Sequence, residues 1–223
     1  MYLISGMRND HRSQTGRKSN VVSTALLVGL LTAGIILCGL SFLWDQGVIH
    51  WVQTHDSKAL KHFAGLLSRW GDWPELMLLG SVGAASAWWA RNRVLCKLLL
   101  CMMMAATAAG ALVNSVRLVS GRARPNNTEA TREWNGLWRD HQFLLFNNKY
   151  HAFPSGHTGA AFAFFGVPVF ARRWYGGWML LMAGAIGWSR IYLNVHHLSD
   201  VTVGALAGLI VAYLACRWAG LRR

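Results

Sequence analysis

A polytopic, all-α membrane protein in which six transmembrane helices form one domain, 1–223, is the fold class this sequence predicts. Hydrophobic residues make up 53% of the 223-residue chain and charged residues only 14%, more apolar and less charged than a soluble domain. Six runs carry no charge: 21–44, 76–90, 98–116, 158–171, 174–188 and 201–216. Six crossings return both termini to one side of a membrane, and the basic residues are distributed as that layout requires.

Residues 1–20 form a polar tail containing Arg8, Arg12, Arg17 and Lys18. The run 21–44 is long enough to span a bilayer and lacks a clear small-residue cleavage site, so it reads as a retained first helix and not as a signal peptide. Between 45 and 73 the pattern changes. Leu60, Phe63, Leu67 and Trp70 recur at intervals of three and four, which predicts an amphipathic helix lying on the outer surface. Several later runs are shorter than the ~20 residues a span needs, so their helices must extend into polar flanks or end in water-lined protein. Residues 126–153 make a long external loop, either a lid and specificity element or a solvated cover. Tryptophans such as Trp44, Trp51, Trp88, Trp89, Trp174 and Trp218 stand near span ends, as an aromatic belt does. Cys38, Cys96, Cys101 and Cys216 lie in or beside apolar runs without metal-type pairing, and are expected to pack without disulfides.

The formal net charge of +13 does not form a nucleic-acid stripe, because the basic residues are dispersed among apolar spans. The tail, Arg91, Arg93, Lys97, Arg172, Arg173, Arg217, Arg222 and Arg223 all fall at ends assigned to the inside. The opposite ends then carry Arg117, Arg122, Arg124, His157, Arg190, His196 and Asp200. Arginines there run against the positive-inside trend and need another reason.

Three stretches hold these residues. Ser189-Arg-Ile-Tyr-Leu-Asn-Val-His-His-Leu-Ser-Asp200 is a polar island between apolar runs. If a helix begins near Val195, His196 and Asp200 share a face and the carboxylate can fix one imidazole tautomer, while His197 points elsewhere. An Asp at a helix start can also serve only the helix dipole. Phe153-Pro-Ser-Gly-His-Thr158 precedes an apolar run, where free backbone N–H groups make either an anion site or an ordinary cap. Arg117-Leu-Val-Ser-Gly-Arg-Ala-Arg124-Pro125 offers guanidinium forks suited to phosphate, or a basic helix flank.

Taken together, the three stretches resemble the tripartite signature of the type 2 phosphatidic acid phosphatase superfamily. That signature has a basic residue, six others, then Arg-Pro; Pro-Ser-Gly-His; and Ser-Arg, five others, His, three others, Asp. Here these are Arg117 with Arg124-Pro125, Pro154-Ser155-Gly156-His157, and Ser189-Arg190 with His196 and Asp200. The first position is usually Lys, and Arg117 keeps the charge while changing the geometry. The resemblance implies that His196 attacks phosphorus, that Asp200 orients it, and that His157 protonates the leaving oxygen and then activates water. Arg117, Arg124, Arg190, the Ser155 hydroxyl and the Gly156 N–H would bind the phosphate. A bell-shaped pH profile is expected, with no metal and no other cofactor. The implied substrate is a lipid phosphate: undecaprenyl diphosphate, phosphatidic acid, phosphatidylglycerol phosphate or a lipid A phosphate. The compact form suggests a bacterial inner membrane, with cytoplasmic termini and a periplasmic site at the outer membrane–water interface. No nucleic acid or obligatory protein partner is expected. A lipid phosphotransferase using the same histidine and a non-catalytic lipid-binding membrane protein are the alternatives; vanadium haloperoxidases share the motifs but not the apolar spans.

Overall fold

The structure, a computed structural model, describes residues 5–130, 132–139 and 142–221, with backbone alone for 5–27 and 30. The basic side chains of the N-terminal tail, Asp140 of the long loop, and Arg222 and Arg223 lie outside the described residues. Seven α-helices account for most of the chain: α1 Ser5–Thr54, α2 Lys58–Trp70, α3 Trp73–Trp89, α4 Arg93–Ser120, α5 Gly156–Phe170, α6 Gly176–Tyr192 and α7 Leu198–Trp218. Between α4 and α5, β1 (Trp138–Arg139) and β2 (Gln142–Phe143) pair antiparallel, with Trp138 opposite Phe143. Leu31–Thr54, Arg93–Ser120 and Leu198–Trp218 are long and apolar enough to cross a membrane, and α5 is a shorter apolar helix.

The chain divides into two units, Met1–Leu40 and Ser41–Arg223. In the first, Val28, Ile35, Ile36, Leu37 and Leu40 are exposed, an apolar surface without a protein partner among the described residues of that unit. The second holds the helical core. Its helices begin and end where the local chemistry dictates. Asp72 caps α3 by accepting from Trp73 N at 2.8 Å, with Pro74 in the first turn, and Asn92 caps α4 by accepting from Leu95 N at 3.0 Å. Gly121 closes α4 at φ 59, and a Cβ there would lie 1.9 Å from the Gly136 carbonyl oxygen, so both backbone sign and space require glycine.

At the centre α5 packs against α4, α6 and α7. Its buried residues are small: Gly159, Ala160, Ala161, Ala163 and Gly166, with Phe164 and Val167 as the bulk. Facing it, α7 presents Gly204, Gly208 and Ala212. A Cβ on Gly208 would stand 2.4 Å from the Gly159 carbonyl oxygen, and one on Gly204 would stand 2.7 Å from that of Ser155. Two backbones therefore touch, the packing that small residues permit when lipid removes the hydrophobic drive between helices. The large apolar side chains point the other way. On α4, Ala105, Ala106 and Ala109 are buried, whereas Leu100, Met104, Leu112 and Val116 are exposed. Water would penalise that surface by roughly 25 cal/mol per Å², and hydrocarbon does not. Small inside and large outside identifies a multi-pass membrane protein.

The expected amphipathic segment 45–73 needs correction. Residues 45–54 do not open an amphipathic segment but continue α1, whose polar Ser41 and Asp45 are buried within the second unit. The amphipathic helix is the shorter α2, and it meets α6 through Ala64 and Ser68, leaving Leu60, Phe63 and Trp70 exposed. Its apolar stripe faces away from the protein, which is the disposition of a helix seated in a lipid interface. Helices extend into their polar flanks as expected: the run 98–116 becomes Arg93–Ser120, and 174–188 reaches Tyr192 and so carries Arg190 in the last turn of α6.

Gly208→Leu should separate α5 from α7 and cost about 1–3 kcal/mol. Its thermal unfolding midpoint in detergent should fall clearly, while exposed Leu214→Ala should change stability by less than about 0.5 kcal/mol.

Candidate active site

The C-terminal end of α4, the N-terminal end of α5 and the turn between α6 and α7 lie at one end of the helices. Backbone contacts join the three motifs there. Ser155 N donates to the Asp200 carbonyl at 3.0 Å, and Ala152 N donates to the Arg122 carbonyl at 3.0 Å. Ser120 Oγ donates to the Phe153 carbonyl at 2.7 Å. Gly156 lies under Arg117: a Cβ built on it would be 3.3 Å from Arg117 Nη1. Any side chain at 156 would press on the guanidinium. Ser155 is fully buried as the cap of α5, accepting from Thr158 Oγ1 at 2.9 Å, so only its own hydroxyl proton is left for an anion beside the free first-turn N–H groups.

His196 is 2% exposed and sits in the turn before α7, which starts two residues later. Its Nδ1 donates to the Ala152 carbonyl at 2.8 Å and lies 3.5 Å from Asp200 Oδ2. A proton on Nδ1 puts the lone pair on Nε2. The carbonyl, not the carboxylate, is thus the nearer acceptor that sets the tautomer. Burial, with Arg190 and Arg124 nearby and Asp200 opposing them, lowers the His196 pKa to about 4, so the imidazole is neutral at pH 7. His197 does not point elsewhere, as its spacing suggested. Its backbone N donates to Asp200 Oδ2 at 2.7 Å and its Nδ1 lies 3.1 Å from the same oxygen. The cause is local: His197 precedes the first turn of α7, where a carboxylate three residues on reaches back to it.

The other Asp200 oxygen belongs to Arg122. This fully buried guanidinium donates to Asp200 Oδ1 at 2.5 Å, Ser199 Oγ at 2.6 Å and Asp45 Oδ2 at 2.6 Å, and through Nε to Glu133 Oε1 at 2.8 Å. Trp134 covers it, with the ring centroid 4.7 Å from Cζ, and Phe42 and Phe153 lie within 6 Å. Burial alone would lower its pKa, but Asp200, Asp45 and Glu133 reverse that and raise it. Arg122 is saturated, so no donor is left for a ligand.

Arg117, Arg124 and Arg190 contrast with it. Each has a buried Nε without an acceptor among the described residues. Arg190 is steadied by a hydrogen bond from Nη1 to Ser68 Oγ of α2. Arg124, whose backbone N is held by the Lys149 carbonyl at 2.9 Å, has its pKa lowered by burial against the pull of Asp200. His157, half-buried at the start of α5, has Arg190, His196, Arg117 and Arg124 as its electrostatic neighbours, and its Nε2 lies 3.4 Å from Asp72 Oδ2. The predicted residues therefore converge. Three arginines with unused donors around two histidines concentrate the charge and the donors that suit a multiply charged oxyanion. A cavity of about 420 Å³ adjoins it, reaching from Asp72, Arg117 and His157 along Thr107, Gly110 and Ala111.

Sequence reasoning missed four partners. Asp72 carries no motif that marks it, Ala152 contributes a carbonyl that no residue type announces, and Asp45 and Glu133 are ordinary charges until the fold brings them to Arg122.

A family profile described as the PAP2 superfamily matches residues 95–223, a span that contains all three motifs. Over 70 residues the chain is 39% identical to YbjG of Escherichia coli (strain K12), provisionally named an undecaprenyl-diphosphatase; the stretch covers 29% of this chain and 35% of that protein. Over 122 residues it is 31% identical to the lipid A 1-phosphatase of Porphyromonas gingivalis, covering 53% of this chain and 23% of that protein. The chain thus matches about a third or less of the length of these curated relatives. Its fold is similar to crystal structures of Aquifex aeolicus LpxE (TM-score 0.56, 24% identity, 78% of this chain and 94% of that one) and of a PAP2-type phosphatidylglycerolphosphate phosphatase from Bacillus subtilis (TM-score 0.58, 20% identity, 86% and 94%). With more than half of its residues under one profile, the chain belongs to the PAP2 superfamily.

Proposed function

We propose that the protein is a membrane-integral lipid phosphatase that hydrolyses a phosphate monoester or diphosphate through a phosphohistidine on His196. The observation that carries this reading is His196 itself, buried, neutral, and held through Nδ1 by a carbonyl beside three arginines with unused donors. In the reaction, Arg117, Arg124 and Arg190, with the Ser155 hydroxyl and the Gly156 N–H, hold the nonbridging oxygens. His196 Nε2 attacks phosphorus in line and forms the P–N bond as the P–O bond to the lipid breaks. His157 gives its proton to the departing oxygen. It then takes a proton from water, which attacks the phosphohistidine, releasing phosphate and restoring Nε2. Asp200 supports the cationic imidazole that forms, and Asp72 orients His157.

The substrate class follows from the surroundings. The cavity beside Arg117 and His157 is walled by Trp73, Gly110, Ala111 and Ala160, a lining suited to the first part of an apolar tail. Undecaprenyl diphosphate, phosphatidic acid, phosphatidylglycerol phosphate and lipid A phosphates all fit that description. We take α1 and α3–α7 as six spans of one phosphatase domain, with α2 in the interface and the site at the outer membrane–water boundary of a bacterial inner membrane. Arg91, Arg93, Lys97, Arg172, Arg173 and Arg217 support this orientation, since they cluster at the ends remote from the site. The loop 126–153 caps the site, and Trp134 over Arg122 anchors it. In this scheme arginine charge replaces metal charge, so no metal is required.

Three outcomes test it with purified protein and a panel of these lipids. His196→Ala should lose phosphate release by about 10³-fold or more, and His157→Ala by about 10²–10⁴-fold; a His196→Ala enzyme with most of its activity would remove the mechanism. Because the His196 lone pair is present above its pKa and lost below it, kcat should decline as pH falls through about 4. An acid limb near the ordinary histidine value would contradict the buried environment. Activity should also persist in excess chelator, and chelator-sensitive turnover that metal restores would refute the arginine-only scheme.

A further inference from the structure

The ends of the helices remote from the candidate site hold a second convergence of charge. Arg93 and Lys97, one turn apart on α4, line a cavity of about 600 Å³ together with Arg172 and Arg173 of the α5–α6 turn; Val94, Ala171, Gly220 and Leu221 complete it. Among the described residues none of the four cations has an ion pair and no carboxylate lines the cavity. Arg173 Nε is buried and has no acceptor among those residues. A basic flank that only seeks water would leave its guanidinium in water, whereas this donor is withdrawn from solvent and unused.

The surroundings name the occupant. Trp88, Trp89 and Trp174 are 73%, 89% and 86% exposed at the same ends, the level at which indoles meet lipid headgroups. Below the cations, Leu100 and Met104 are exposed on the face of α4 that carries Arg93 and Lys97, an apolar track along which acyl chains can run. Arg93 and Arg117 are 24 residues apart on one helix, about 36 Å at 1.5 Å per residue, so this pocket is separate from the phosphate site.

We infer that Arg93, Lys97, Arg172 and Arg173 form a second anion site that binds the phosphate of an anionic phospholipid headgroup. Free inorganic phosphate shares that chemistry, and the bound lipid differs in having chains to lay on α4. The role is binding, independent of turnover at His196.

Native mass spectrometry of the full chain in neutral detergent tests it, titrating phosphatidylglycerol or phosphatidylcholine with and without inorganic phosphate. Wild type should retain phosphatidylglycerol in preference to phosphatidylcholine. Arg173→Gln and the exposed-site variant Lys97→Gln should each weaken retention about fivefold and Lys97→Gln/Arg173→Gln about 25-fold, while Arg173→Lys and the active-site variant Arg124→Gln should keep it. Equal retention in the double variant, or equal binding of phosphatidylcholine, would overturn the site. Displacement of the lipid by low millimolar inorganic phosphate would overturn the lipid assignment and make the pocket a free-anion site. Loss in Arg124→Gln alone would mean that the retained lipid occupies the candidate active site instead.

Discussion

The ion-paired guanidinium of Arg122 is the constraint on which the candidate site depends. It is fully buried and meets Asp45 from α1, Ser199 and Asp200 from α7, and Glu133 from the long loop. A charge in such a position is tolerable only when all its donors are met, because an uncompensated buried ion costs several kcal/mol. Here the hydrogen bonds come from three separate parts of the chain, so forming the network fixes those parts relative to each other. One consequence reaches His196. Asp200 can neither rotate nor leave while Arg122 holds one oxygen and His197 the other, and the loop that supplies Ala152 is tied to the Arg122 backbone.

The arginines divide by satisfaction, not by sequence position. Arg122 and Arg124 are two residues apart, yet the first spends its donors on protein and the second keeps an unused one. Helix packing produces this division. Gly204 and Gly208 let α7 lie against α5 closely enough for the Ser155 and Asp200 backbones to bond, which places one motif on another before any side chain contributes. The outer faces need no such accuracy, and they carry the large apolar residues that a bilayer accepts.

Much of this was legible from residue order. The uncharged runs form the cores of α1 and α3–α7, because a charge inside a span is expensive, while the helix ends run on into charged flanks. The motif residues were legible because polar groups in apolar surroundings stand out. What failed had a different origin. The sequence pattern understates α1 because Asp45 reads as an end, although its charge is met by Arg122 seventy-seven positions away. Helix spacing does not govern His197, which precedes the start of α7 at Leu198 and so turns its ring to Asp200. Asp72 and the Ala152 carbonyl could not be found at all, since one carries no motif that marks it and the other has no side-chain signature.

The brevity of α5 has a further physical meaning. Its fifteen residues rise about 22 Å, against roughly 30 Å of hydrocarbon in an ordinary bilayer. It does not meet that hydrocarbon directly, because α4, α6 and α7 pack around it and none of its residues is exposed. A helix enclosed by protein need not match the thickness of a bilayer, so its ends can stop short of the levels at which its longer neighbours end. The polar groups at its start, Ser155 and His157, are then walled by neighbouring helices and not by lipid.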